Sequence, residues 1–141
     1  MTSTCAERGK PVDPRMIEAV LGEIAAQLET FALSGECASI DLGGLPFSGR
    51  DREALDARLG RGEIQATIDL AGRSEVWETG FSGVWRVRHF DATKIIVDLV
   101  EIASIPEILR SDRRDAKLAA QRLKAALERE NAVLAENAHE Q

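Results

Sequence analysis

From Asp13 onward the apolar residues Met16, Ile17, Val20, Leu21, Ile24, Leu28 and Phe31 recur at helical spacing. Asp13 suits an N-cap and Pro14 the first helical position, where its missing N–H costs nothing, so the pattern predicts a helix over 14–33 closed by Ser34-Gly35. In Ala38 to Phe47, Ile40 and Leu42 alternate with polar neighbours before Gly43-Gly44, which fits a short edge strand or an extended loop. Ser48 to Asp51 has the form of a capping box, with aspartate in place of the usual Glu or Gln, and Ala54, Leu55 and Leu59 give the short helix behind it an apolar side up to Gly60.

After Gly62 the period changes. Ile64, Ala66, Ile68 and Leu70 fall on alternate positions, the pattern of a half-buried strand. Ala71 to Ser74 reads as a turn into a second strand over 75–80, and Ser82-Gly83 as a bulge or tight bend, because glycine departs cheaply from a ladder. Val84 to Phe90 continues as strand, Asp91 to Thr93 turns, and Lys94 to Ile102 is almost continuously apolar or β-branched, as a central strand is. Connections this short permit hairpins and leave no room for parallel crossovers. Ile105-Pro106-Glu107 begins a short helix, and Ser111 suits the N-cap of a long one reaching toward Glu136. Its stripe of Ala116, Ala119, Ala120, Leu123, Ala126, Leu127 and Leu134 is rich in alanine, which buries little area, so the helix needs a partner: the first helix or another copy of itself.

The predicted fold class is α+β, with an antiparallel meander of three or four strands covered on one face by the N-terminal helix and the long C-terminal helix. At 141 residues the chain suits one domain. Residues 1–13 are expected as a flexible segment, 14–137 as the single α+β domain and 138–141 as a frayed tail. Hydrophobic residues at 44% and charged ones at 30% argue against wholesale disorder. A formal charge of −6 repels phosphate backbones and anionic lipid, which disfavours nucleic acid and membrane surfaces as partners. The polar start of the chain lacks the apolar core of a secretory signal, and no apolar run approaches the ~18–20 residues that cross a bilayer, so a cytoplasmic location is expected. Cys5 and Cys37 stand far apart and outside any Cys-x-x-Cys spacing, which argues for reduced thiols.

Chemistry-bearing residues gather between Leu59 and Pro106. Gly60-x-Gly62-Glu63 lacks the lysine of a P-loop and sits between helix and strand, so a helix C-cap and the start of a strand outweigh a phosphate cradle. In Gly83-Val-Trp-Arg-Val87 the strand period sets Trp85 and Val87 on one face, and Val84, Arg86 and Arg88 on the other. Trp85 is then read as core and Arg86 as solvent-facing or paired, with an exposed Trp85 or Trp77 anchoring a partner as the functional alternative. Glu63, Glu78 and Glu101 lie on three strands; pairing with Arg61, Arg86 or Arg88 is favoured over an acidic cluster that, with His89, would handle metal or protons. Cys5, Cys37, His89 and His139 show no metal-ligand spacing, and no nucleophile–histidine arrangement is recognisable, so neither a metal site nor a catalytic residue is assigned.

In order and separation, Leu59-Gly-x-Gly-Glu-Ile64, Glu78-Thr79, Gly83-Val-Trp-Arg-Val87 and Glu101-Ile-x-x-Ile-Pro106 resemble the C-terminal domain of the HupH/HyaF hydrogenase-expression family. The resemblance implies a non-catalytic accessory protein or chaperone without cofactor. It would act in maturation of a [NiFe] uptake hydrogenase, binding the iron–sulfur small-subunit precursor or another maturation factor. Glu63, Glu78, Trp85, Arg86, Arg88 and Glu101 are the expected partner-binding residues, and Gly60, Gly62, Gly83 and Pro106 the fold-defining ones. Two alternatives stand beside it: metal or enzyme chemistry on the Glu63, Glu78, Glu101 and His89 set, and an oligomeric scaffold associated through the C-terminal helix.

Overall fold

The computed structural model describes residues 11–69 and 71–139. Cys5, most of the expected N-terminal segment, Leu70 and the end of the expected tail lie outside the described residues. Contacts divide the chain into two units, one through Pro106 and one from Glu107 onward.

In the first unit, α1 (Pro14–Ser34) starts at Asp13, whose side chain accepts from Arg15 N at 3.0 Å. It ends at Gly35, where φ of 76° lets the backbone N–H turn back onto Phe31 O. Ile17, Val20 and Ile24 are its buried residues. β1 (Ala38–Asp41) follows, then a 3₁₀ turn (Leu42–Gly44) and α2 (Gly49–Leu59). The capping box forms: Ser48 Oγ accepts from Asp51 N at 3.2 Å, and Asp51 Oδ2 accepts from Ser48 N at 2.9 Å. Asp51 Oδ1 also accepts from Asp13 N at 3.3 Å, so one carboxylate joins the starts of both helices.

β2 (Gln65–Asp69), β3 (Arg73–Glu78), β4 (Val84–Asp91) and β5 (Lys94–Ile102) form the antiparallel meander. β1 adds to the far side of β5, giving the order β1-β5-β4-β3-β2. The sheet therefore has five strands where three or four were expected. The extra one is the Ala38–Asp41 segment, which sets Ile40 opposite Val100, a partner no local pattern reveals. β4 is the middle strand and β5 lies between it and β1. The reversal before β3 is tighter than predicted, with Ala71 at φ 48° and Gly72 at φ 120°, so Arg73 and Ser74 already belong to the strand. Gly83, at φ 90°, makes the turn between β3 and β4; the register irregularity lies instead at His89/Phe90.

One sheet face, with Val84, Val100 and Ile102, packs with Ile17, Val20 and Ile24 of α1, Leu55 and Leu59 of α2, and Leu42. The second unit consists of a 3₁₀ turn (Glu107–Leu109) and α3 (Arg113–His139). Its cap is Asp112, whose Oδ1 accepts from Arg114 N at 2.7 Å, one residue past the serine expected to do so.

Candidate functional site

The glycine motif closes a junction between α2 and β3. Gly60, at φ 69°, donates its N–H to Asp56 O at 2.9 Å. Gly62 N donates to Glu78 O at 2.8 Å, and Gly80 N to Leu59 O at 2.9 Å. A Cβ on Gly62 would stand 2.8 Å from Thr79 O, a contact that backbone cannot relieve cheaply. Thr79, which the sequence reading left without a role, is buried; its hydroxyl donates to Val84 O at 2.9 Å and accepts from Phe81 N at 3.2 Å. A Cβ on Gly83 would meet Leu28 Cδ1 at 3.1 Å, so this turn lies hard against α1.

Arg86 is 0% exposed, and its position on β4 points it to the helix-covered face beside Val84. The expectation of a solvent-facing Arg86 is thus corrected, and the expectation of a paired one gains specific partners. Its Nε contacts Asp56 Oδ1 of α2 at 2.9 Å and its Nη1 contacts Asp98 Oδ1 of β5 at 2.8 Å. Nη1 also donates to Leu99 O at 2.8 Å. Arg88 binds both Asp56 and Asp98, and Arg52 of α2 binds Asp98 Oδ2 at 2.9 Å. Three guanidinium groups and two carboxylates therefore share one network beneath α2. Burying charge this deeply is tolerable only where opposite charges and backbone acceptors replace water.

Trp77, 2% exposed, lies over this network. The guanidinium carbons of Arg61, Arg88 and Arg86 stand 4.4, 5.0 and 5.6 Å from its ring centroid. A tryptophan face attracts cations through its ring quadrupole, and the attraction strengthens away from water. Arg86 Nη2 has no hydrogen-bond acceptor among the described residues, while the Trp77 ring centroid stands 5.6 Å from the guanidinium carbon. Arg86 and Arg88 pair with aspartates, one of them from α2, where cross-strand glutamates were expected.

The register aligns Glu78, Trp85 and Glu101 across β3, β4 and β5, on the face away from α1 and α2. Trp85 is buried at 5% exposure and donates Nε1–H to Ala103 O at 3.1 Å, so neither tryptophan is the exposed anchor that the functional alternative required. Glu78, Glu101 and Arg88 are half-buried, while Glu63 is exposed before β2. His89, on the same face as Trp85, has Nδ1 2.6 Å from Ser74 Oγ. Among the described residues no three metal-ligating side chains come together, so the Glu63, Glu78, Glu101 and His89 set does not converge. Cys37 is exposed, and Pro106 is buried at the end of the first unit.

An apolar groove of about 270 Å³ opens between α1, α2 and the β3–β4 turn. Leu21, Ala25 and Leu28 form its α1 wall, and Arg58 and Phe81 also line it. Phe81 is 52% exposed. No local pattern marks this groove, because its walls come from three separated segments.

These features define an α+β domain with an open antiparallel sheet, a helix-covered charged core and an apolar surface groove. The chain belongs to the family of the HupH hydrogenase expression protein, C-terminal conserved region, which matches residues 17–129. It is 33% identical over 86 residues to the hydrogenase expression/formation protein HupQ of Azotobacter chroococcum mcd 1, covering 60% of this chain and 30% of that protein. It is 35% identical over 96 residues to the hydrogenase-1 operon protein HyaF of Escherichia coli strain K12, covering 66% and 33%. The chain thus spans about a third of the length of these curated relatives. Among solved structures, the hydrogenase expression protein HupH from Thiobacillus denitrificans ATCC 25259 superposes with a TM-score of 0.73 at 35% identity, over 84% of this chain and 98% of that one.

Proposed function

We propose that this chain is a non-catalytic accessory domain in the maturation of a [NiFe] uptake hydrogenase. It acts in the cytoplasm by holding a subunit precursor, the iron–sulfur small subunit in the first place, or another maturation factor. The observation that carries the proposal is the family match over 17–129, joined to relatives named for hydrogenase expression and formation. With Trp85 and Arg86 buried, their part is to hold the sheet, and contact falls to groups that water reaches. Of the expected residues these are Glu63, Glu78, Arg88 and Glu101. The groove beside Phe81 adds what those polar residues lack, an apolar recess with one cation, Arg58, in its wall.

The test is capture of purified small-subunit precursor by immobilised protein. Wild-type protein should retain it, and Ala25→Trp, which fills the groove from an exposed helix position, should weaken retention by about tenfold, equivalent to ~1.4 kcal/mol. Failure of the wild-type protein to retain the small subunit or any other hydrogenase maturation component would overturn the proposal.

A further inference from the structure

α3 is 27 residues long, about 40 Å at 1.5 Å per residue, and none of its residues is buried. Ala116, Ala120, Leu123, Leu127, Glu130 and Leu134 succeed one another at alternating intervals of four and three, the spacing of a coiled-coil seam. Leu123, Leu127 and Leu134 are 64%, 52% and 65% exposed, so the seam faces water along its length. We propose that α3 pairs with α3 of a second copy of this chain, in antiparallel orientation.

Two features of charge select a second copy and the antiparallel sense. The half of the helix up to Ala126 carries five Arg and Lys residues against Asp115, whereas the half from Leu127 carries three glutamates against Arg129. Antiparallel pairing lays the basic half of each copy along the acidic half of the other; parallel pairing lays like on like. Glu130 interrupts the seam and decides the matter locally. A parallel pair would set Glu130 against Glu130 of the other helix, two carboxylates in an apolar seam. An antiparallel pair centred between Leu123 and Leu127 sets Glu130 opposite the small Ala120, with Lys117 and Lys124 on either side of it, and sets Ala116 opposite Leu134. Such an arrangement is isologous and closes at two copies, so it does not propagate into fibres.

Two measurements on the full chain test this. Light scattering after size exclusion should give about twice 15.4 kDa at micromolar concentration, and Leu127→Glu should return the mass to that of one chain with an unchanged circular dichroism signature from the sheet. Next, in a background with Cys5→Ser and Cys37→Ser, chains carrying Ala116→Cys and chains carrying Leu134→Cys are mixed and oxidised. The mixed 116–134 disulfide should dominate over either homodisulfide. A single-chain mass throughout the micromolar range, a dimer unaffected by Leu127→Glu, or dominant 116–116 cross-linking would each overturn the proposal.

Discussion

Arg86 and Asp98 meet at 2.8 Å, Nη1 to Oδ1, from adjacent strands, and both side chains are withdrawn from water at 0% and 1% exposure. They are not register partners: Arg86 lies opposite Val100, and Asp98 opposite Arg88, so the guanidinium reaches diagonally along the sheet. That diagonal leaves room for Arg52 of α2 to take the second oxygen of the same carboxylate.

Removing Arg86 takes the 2.8 Å contact from a carboxylate that is 1% exposed and leaves Asp98 to Arg52 and Arg88 alone. Arg86→Met should therefore cost about 3–5 kcal/mol, read as a lower urea midpoint with unchanged slope. Arg52→Met, at a side chain 26% exposed, should cost only about 1 kcal/mol. The double variant should depart from the simple sum, because both contacts end on Asp98 and their joint loss leaves it only Arg88. An Arg86→Met protein as stable as wild type would show that the network contributes nothing net.

The two ends of the glycine scale can be compared within one protein. Gly62→Ala puts a methyl carbon 2.8 Å from Thr79 O and should destabilise by about 1–3 kcal/mol. Gly22→Ala, inside α1 with nothing within 4 Å, should stabilise by roughly 0.5–1 kcal/mol through helix propensity. Thermal melts of both variants decide it, and equal shifts would contradict the close approach at Gly62.

Both tryptophans should report burial. The native emission should be blue-shifted and should move to longer wavelength on unfolding, since Trp77 and Trp85 are 2% and 5% exposed. Trp85→Phe removes the donor to Ala103 O and leaves part of the indole's volume unfilled, which should cost about 1–3 kcal/mol by chemical denaturation. A native spectrum already at the fully hydrated wavelength would refute this packing.

The capping box gives a smaller effect with a distinct position. Ser48→Ala removes the acceptor for Asp51 N and should cost about 1 kcal/mol, whereas Asp51→Ala should cost more, because that carboxylate also accepts from Ser48 N and Asp13 N. Calorimetry ranks the two, and the reverse order would remove Asp51 as the link between the starts of α1 and α2.

By itself the sequence determined the local features. Helix α1 with its Asp13 and Gly35 ends, the Ser48 capping box, the hairpin order of β2 to β5 and the bounds of β5 all follow from period, propensity and turn chemistry within a few residues of each position. The family was legible too, since its motif residues lie in order along a short stretch. Tertiary structure decided the rest. Alternation separated Arg86 from Trp85 but could not say that helices would cover the arginine's face, because covering elements come from elsewhere in the chain. The partners Asp56 and Asp98 lie in another helix and another strand, and β1 finds its place only against β5, so these pairings depend on chain closure. A buried charge is stable only when such distant groups arrive together, which is why one dimension left Arg86 as solvent-facing or paired and three dimensions placed it, paired, in the core.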